Sequence, residues 1–296
     1  MSSNSSLLCP KWLIPVLPRR AVLRDHAVLI EKNLIKAVGT RAQLTKQYPN
    51  AQIVELDDHV LMPGMINAHG HSAMSLLRGF ADDLPLETWL NDHIWPAEAK
   101  WVNEQFVEDG SSLAIAEMLL SGTTCFTDMY FFPNVTARVA QNMGIRAVVG
   151  LIVMDFPTVW AKDPDEYISK GIALHDELRA YSHVTTTFAP HAPYTVSETE
   201  HEVAEANNVS GQSPLERLDA LGLLTPKLMA VHMTQLSDDD IQLAARTGIH
   251  IIHCPESNMK LASGICPVTA LLNAGVNVAL GTDGAASNND LSLLGE

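Results

Sequence analysis

Two rhythms of apolar and polar positions divide the chain. Between residues 20 and 59, short β-rich pieces recur about every eight residues: Ala21–Leu23, Ala27–Ile30, Ile35–Gly39 and Gln52–Leu56. That spacing predicts a small antiparallel sheet, the N-terminal part of a small β-sandwich accessory domain over residues 1–59. From residue 60 to 296, nearly continuous apolar runs alternate with helical stretches. The runs are Val60–Asn67, Thr123–Asp128, Arg146–Val153, Val184–Pro190, Leu228–Met233, Ile249–Pro255 and Asn277–Asp283. Strands buried on both faces have this composition, and helices between them imply parallel pairing. Helices are predicted over 107–121 and over 237–247, the second opened by Ser237.

Six of the runs end in polar or titratable residues: His69 and His71, Asp128, His191, His232, His253 and Asp283. In a (β/α)8 barrel of the TIM type the strand C-termini converge on one face, which carries the active site. A doubly wound sheet would place a ligand at one switch point instead. The fold expected is therefore an α/β barrel over 60–296, one strand short of eight.

Composition narrows the partners. Lys plus Arg number 19 against 34 Asp plus Glu, a net charge of −15. So acidic a chain, with no basic run, excludes nucleic acid as a natural partner. No apolar stretch reaches the roughly 18–20 residues of a membrane span. The N-terminus lacks a basic region, and Pro10, Pro15 and Pro18 interrupt the patch behind it, so no signal peptide is expected. Cys9, Cys125, Cys254 and Cys266 form no CxxC pair and read as reduced thiols of a cytoplasmic protein.

The candidate chemistry lies at the run ends. In His69-Gly70-His71 the two histidines are two apart on a strand, so both imidazoles can reach one metal ion. Taken alone, each element has an ordinary explanation. Histidine pairs occur in surface loops, and Asp283 in Gly281-Thr-Asp-Gly has the context of a turn or cap. His232 could be a hydrogen-bonded core histidine, and His191, between Pro190 and Pro193, part of a rigid turn. On one barrel face, however, these residues make a centre for metal-assisted hydrolysis.

Met62-Pro-Gly-Met-Ile-Asn-Ala-His-Gly-His resembles the opening motif of the amidohydrolase superfamily. Leu76–Leu86, Ile94-Trp-Pro-Ala-Glu, Phe188-Ala-Pro-His-Ala-Pro-Tyr, Ala230-Val-His-Met-Thr, His253-Cys-Pro-Glu-Ser-Asn and Gly281–Asp290 extend the resemblance from about residue 12 to 296. Within the superfamily these motifs are similar to the 5-methylthioadenosine/S-adenosylhomocysteine deaminases and to the triazine and guanine-type aminohydrolases. The resemblance implies one divalent ion, of the zinc type, held by His69, His71, a fifth-strand histidine and Asp283. The ion lowers the pKa of a water that attacks the amino-bearing carbon of a small nucleoside or heterocycle, and ammonia leaves. It also implies that His232 stabilises the attacking water, that Asp283 accepts its proton, that Glu98 holds the ribose hydroxyls and that His191 contacts substrate. Without the resemblance, Glu98 after Pro96 reads as a helix N-terminal acid.

The text departs from the family pattern between His191 and His232. The family's fifth strand ends in His-x-His-Glu-Thr, giving one metal ligand and a catalytic glutamate. Residues 196–218 contain no apolar strand run and read as though a helix and a strand were absent. His201-Glu202 falls there, as helix residues beyond the lost motif. The family also continues past the point where this sequence stops, so the first sheet is expected to have open edges, which suggests self-association. Three readings stay open: a deaminase of adenosine-type thioethers, a triazine or guanine-type aminohydrolase or chlorohydrolase, and a remnant that binds ligand or metal without turnover.

Overall fold

The computed structural model describes residues 5–192, 195–196 and 212–296. The chain divides into two compact units, Met1–Gly64 and Met65–Glu296. The first is a four-stranded sheet in the order β3-β2-β1-β4, from β1 (Ser5–Leu13), β2 (His26–Glu31), β3 (Leu34–Thr40) and β4 (Gln52–Leu61). Its β1–β2 and β2–β3 pairs are antiparallel, but β1 and β4 run parallel, which corrects the wholly antiparallel expectation. Helix α1 (Arg41–Gln47), capped by the Thr40 hydroxyl, makes the crossover that parallel pairing requires. The pattern also missed β1. Its proline is accommodated where the β1–β4 register shifts, between Pro10 and Trp12. Ala21–Leu23 adds only an isolated bridge from Leu23 to Leu13. Among the described residues this unit holds one sheet and one helix.

In the second unit, the run Val60–Asn67 proves to be two strands' ends. Met62-Pro63-Gly64 breaks it, and the first barrel strand, β5, is Met65–Gly70. One parallel sheet has the order β5-β6-β7-β8, with β6 (Thr123–Met129), β7 (Arg146–Val153) and β8 (Val184–Pro190). Another has the order β11-β10-β9, with β9 (Met229–Val231), β10 (His250–His253) and β11 (Asn277–Leu280). Helical segments alternate with the strands. Between β5 and β6 lie α2 (Leu86–Thr88), a π turn (Trp89–Ile94), α3 (Trp95–Trp101) and α4 (Glu104–Leu120). Then come α5 (Pro133–Met143), α6 (Pro164–Leu178), α7 (Pro214–Ala220), α8 (Asp238–Thr247), α9 (Pro255–Lys260) and α10 (Val268–Asn273). The helix predicted over 107–121 is α4, and that over 237–247 is α8. Ser237 and Asp240 form a reciprocal capping box at the start of α8.

The core follows the same layering. Ile115, Met118, Phe126, Val149 and Leu151 pack in the cluster between α4 to α6 and the first sheet; Ile241, Ile249, Ile251 and Leu271 pack in the cluster of the second. The two sheets meet through β5 and β11. A single bridge joins Gly70 to Asp283. The buried Asn67 side chain completes the clamp: Nδ2 donates to Thr282 Oγ1 at 2.7 Å, and Oδ1 accepts the Thr282 N–H at 3.1 Å. The strand sequence around the barrel is thus β8-β7-β6-β5, then β11-β10-β9. Among the described residues no strand stands between β8 and β9. His201 and Glu202 lie outside the described residues. No described helix is long and apolar enough to cross a membrane.

The clamp needs a close backbone approach. A Cβ built on Gly281 would meet His69 Cβ and N at 2.8 Å and its carbonyl oxygen at 3.0 Å. Backbone atoms cannot yield as a flexible side-chain end can, so Gly281→Ala is expected to cost about 1–3 kcal/mol of stability. Urea unfolding measures it; a midpoint equal to that of the native chain would show that β11 is free to move off β5.

Candidate metal centre

His69 is the penultimate residue of β5 and His71 follows its end, so both imidazoles leave the same side of the strand. Asp283 lies just past β11 and His232 just past β9. Both have left-handed backbones, with φ of +60° and +68°. Such values are uncommon for residues other than glycine and persist where surrounding bonds fix them. Those bonds are present: the Asp283 N–H donates to the His69 carbonyl at 3.0 Å and the His232 N–H to the Ile252 carbonyl at 2.9 Å.

The turns bring the side chains together. Asp283 Oδ1 lies 3.0 Å from His71 Nε2 and 3.3 Å from His69 Nε2, and Asp283 Oδ2 is 4.0 Å from His232 Nε2. Ligand atoms of His69, His232 and Asp283 lie within 4.8 Å of one another. Oδ2 is satisfied by the hydroxyls of Ser257 and Ser287, which donate at 2.6 and 2.8 Å. Oδ1 is buried and, among the described residues, has no hydrogen-bond partner, despite its two nitrogen neighbours.

That orphaned oxygen tests whether a cation fits. His71 Nδ1 donates to the Met129 carbonyl at 2.6 Å, which turns Nε2 toward Oδ1. His232 is fixed the same way, with Nδ1 donating to Asn258 Oδ1 at 2.9 Å. Imidazole nitrogens aimed at a carboxylate oxygen repel it unless a positive charge, an ion or a proton on one imidazole, stands between them. Imidazole and carboxylate are the donors that zinc-type ions accept, and a ligating histidine ordinarily donates its other N–H to a carbonyl. The residues present fit a divalent ion.

Without an ion, a proton supplies that charge. Burial lowers His69 to about 4. Burial also opposes charging His71, but the Asp283 carboxylate 3.0 Å away outweighs it and raises the group to about 9. Burial works to raise Asp283, yet the His69 and His71 nitrogens facing it hold it well below the usual carboxylate range. The carboxylate is therefore ionised, and it draws one positive charge to its imidazole neighbours.

The substrate residues expected from the sequence lie near this centre. Glu98 is on α3 and buried. The preceding turn is π-type, with the Trp95 N–H reaching back to the Leu90 carbonyl, so α3 continues an existing helix and Glu98 is not a free N-terminal acid. The Tyr130 hydroxyl donates to Glu98 Oε1 at 2.7 Å. Burial raises Glu98 to about 7, against the opposing pull of Tyr130 and His71. His191 follows β8 with Nδ1 at 2.9 Å from Thr195 Oγ1. Burial, then the charge of His71, lowers it to about 4. His253 ends β10 with Nδ1 buried and, among the described residues, without a hydrogen-bond partner, and burial lowers its pKa. Asp128 binds no candidate ligand; its Oδ1 accepts the Ser72 N–H at 2.6 Å and anchors the turn after His71.

Sequence reasoning missed the residues that orient the others: Asn67, Met129, Tyr130, Ser257, Asn258, Thr282 and Ser287. Most lie within the quoted motifs, but a serine or asparagine at strand ends carries no signal of its own. A carbonyl such as that of Met129 carries none at all.

The amidohydrolase family model matches residues 60–210 and 197–296. The 5-methylthioadenosine/S-adenosylhomocysteine deaminase of Teredinibacter turnerae is 49% identical over 96% of this chain and 70% of its own length. That alignment runs over 308 positions while taking in 96% of 296 residues, so about two dozen of its positions face a gap here. The two pieces of the family match meet at residues 197–210, where the fifth-strand motif is missing from the text. The crystal structure of a zinc-bound adenosine deaminase from Xanthomonas campestris superposes with a TM-score of 0.93 at 48% identity, over 98% of this chain and 71% of that one. The zinc-bound atrazine chlorohydrolase of Arthrobacter aurescens superposes with a TM-score of 0.87 over 98% of this chain and 74% of its own, at 21% identity, a likeness of fold. With the family match covering the barrel from end to end, and close relatives sharing its fold, the chain belongs to the amidohydrolase family.

Proposed function

We propose that this chain is a metal-dependent hydrolytic deaminase of adenosine-type thioethers, 5-methylthioadenosine and S-adenosylhomocysteine, releasing ammonia. The observation that carries the reading is the buried Asp283 carboxylate with one oxygen orphaned between His69 and His71. Identity near 49% to a deaminase of these nucleosides supports the substrate class, whereas the triazine enzyme is less than half as similar. Residues 60–296 act as the hydrolase barrel and residues 1–59 as part of a small β-sandwich accessory domain. The protein works in the cytoplasm, and β3 and β4, each paired on one side only among the described residues, favour a homo-oligomer.

His69, His71 and Asp283 would hold the ion. When bound it lowers the pKa of a water toward neutrality. Asp283 would accept a proton from the attacking water, with Ser257 and Ser287 holding its other oxygen in place. His232, oriented by Asn258, steadies the attacking oxygen. The C–O bond forms first, on the amino-bearing carbon, as one water proton goes to the ring nitrogen; the C–N bond then breaks and the other water proton leaves with ammonia. Glu98 accepts from the ribose hydroxyls and His191 contacts the substrate.

One observation favours a second reading, a chain that binds metal and ligand without turnover: the text between His191 and His232 lacks the His-x-His-Glu motif. Metal content and ammonia release, measured on the same zinc-loaded sample, separate the two. The deaminase reading expects one metal ion per chain and ammonia from S-adenosylhomocysteine, with no chloride from a chlorotriazine. Bound metal without ammonia leaves the second reading. Asp283→Asn is expected to lose most bound metal, because the amide carries no charge to draw the ion; full retention would remove Asp283 from the ligand set.

Glu98→Gln is expected to raise KM by about 10- to 100-fold with kcat little changed, the effect of losing charge-assisted hydrogen bonds. Glu98 is raised to about 7, so its charged form is present above that pH and is lost below it. KM should therefore rise as pH falls below about 7 in the native chain and stay level in Glu98→Gln. Parallel pH profiles of the two would sink the assignment.

A further inference from the structure

Three consecutive residues at the end of β6 each hold a different part of the site. Asp128 anchors the Ser72 N–H, the Met129 carbonyl receives His71 Nδ1, and the Tyr130 hydroxyl reaches Glu98. The first two serve the metal-binding turn. The third has no part in metal binding.

Tyr130 and Glu98 are both buried, at 4% and 8% of full exposure. Among the described residues the Tyr130 hydroxyl is the one hydrogen-bond donor to the Glu98 carboxylate. An ionised carboxylate only accepts, so the phenol must donate. The last torsion of a glutamate is broad, and a carboxylate left to itself turns freely about it. A donor at Oε1 fixes the carboxylate plane. That plane decides whether the two hydroxyls of a vicinal diol can be met together or only one at a time, since paired hydrogen bonds demand matched directions. The Tyr130 ring is itself wedged against Phe131, with centroids 5.1 Å apart, and follows directly on β6. The orientation of Glu98 is thus referred back to the barrel sheet.

We propose that Tyr130 is the positioning residue that gives this site its selectivity for a ribose diol over a deoxygenated sugar, by fixing the Glu98 carboxylate. This rests on the nucleoside reading and on Glu98 as the diol acceptor. Tyr130→Phe removes the donor and keeps the ring. Inosine and 2′,3′-dideoxyinosine, which carry no amino group to hydrolyse, are the probes, and their dissociation constants with the zinc-loaded chain are read by calorimetry.

The native chain is expected to prefer inosine by at least about tenfold, the worth of hydrogen bonds to a charged group. Tyr130→Phe should shrink that preference to within about threefold, chiefly by weakening inosine while dideoxyinosine is unchanged. The double variant Tyr130→Phe/Glu98→Gln should bind inosine no worse than Glu98→Gln alone, since Tyr130 acts through Glu98. Metal content and melting temperature accompany each variant. A preference that survives Tyr130→Phe, or an equal weakening of both ligands, overturns the inference while leaving the Glu98 assignment standing. A native chain that binds both ligands equally overturns the Glu98 assignment itself, and one that binds neither overturns the nucleoside reading.

Discussion

A carboxylate taken out of water must be surrounded by donors or by positive charge, or it does not stay ionised. Asp283 is such a group, and the barrel mouth is organised around it. Two serine hydroxyls satisfy one oxygen, and two imidazole nitrogens face the other. To present the carboxylate there, the chain turns through a left-handed residue directly after a glycine-threonine pair, and the backbone of that turn bonds to β5. The clamp between Asn67 and Thr282 holds the two strands in the register that makes these distances possible. Remove the carboxylate and the histidines have no reason to converge; loosen the clamp and the carboxylate has no fixed place.

The opposite wall is set by β6. Its last two residues and the one that follows use a side-chain carboxylate, a main-chain carbonyl and a phenol hydroxyl on three separate targets. A strand end is a good reference for this purpose because parallel ladders on both sides, to β5 and β7, restrain it. The site is consequently assembled from stiff elements, with the turns after β5, β9 and β11 tied back to them.

The barrel was legible because parallel strands buried on both faces leave long apolar runs, and β7 and β8 have the predicted bounds. His69, His71, His232 and Asp283 were legible because each closes such a run. The small sheet was less so. Pro10 disguised an interior strand, and β4 and β5 read as one because Val60 to Asn67 is apolar on both sides of Pro63. Glu98 shows a subtler limit. Its position after Pro96 suggested a helix start, and only the π turn ahead of it shows that the helix was already under way. The orienting partners were invisible for a general reason: a hydrogen bond between residues 215 positions apart, as between Asn67 and Thr282, leaves no periodic trace in the text.

That same separation shapes how the protein folds. The centre has almost no local precursor: of the candidate ligands, His69 and His71 alone are neighbours in the unfolded chain, while Asp283 arrives when β11 docks on β5. Contacts of such high sequence separation form slowly, since the chain must lose loop entropy before any of them is rewarded. Ligation and closure of the seam between β5 and β11 are then one thermodynamic event. An ion held by these residues would bind the closed chain far better than the open one, so its free concentration would shift the population toward the closed form by mass action.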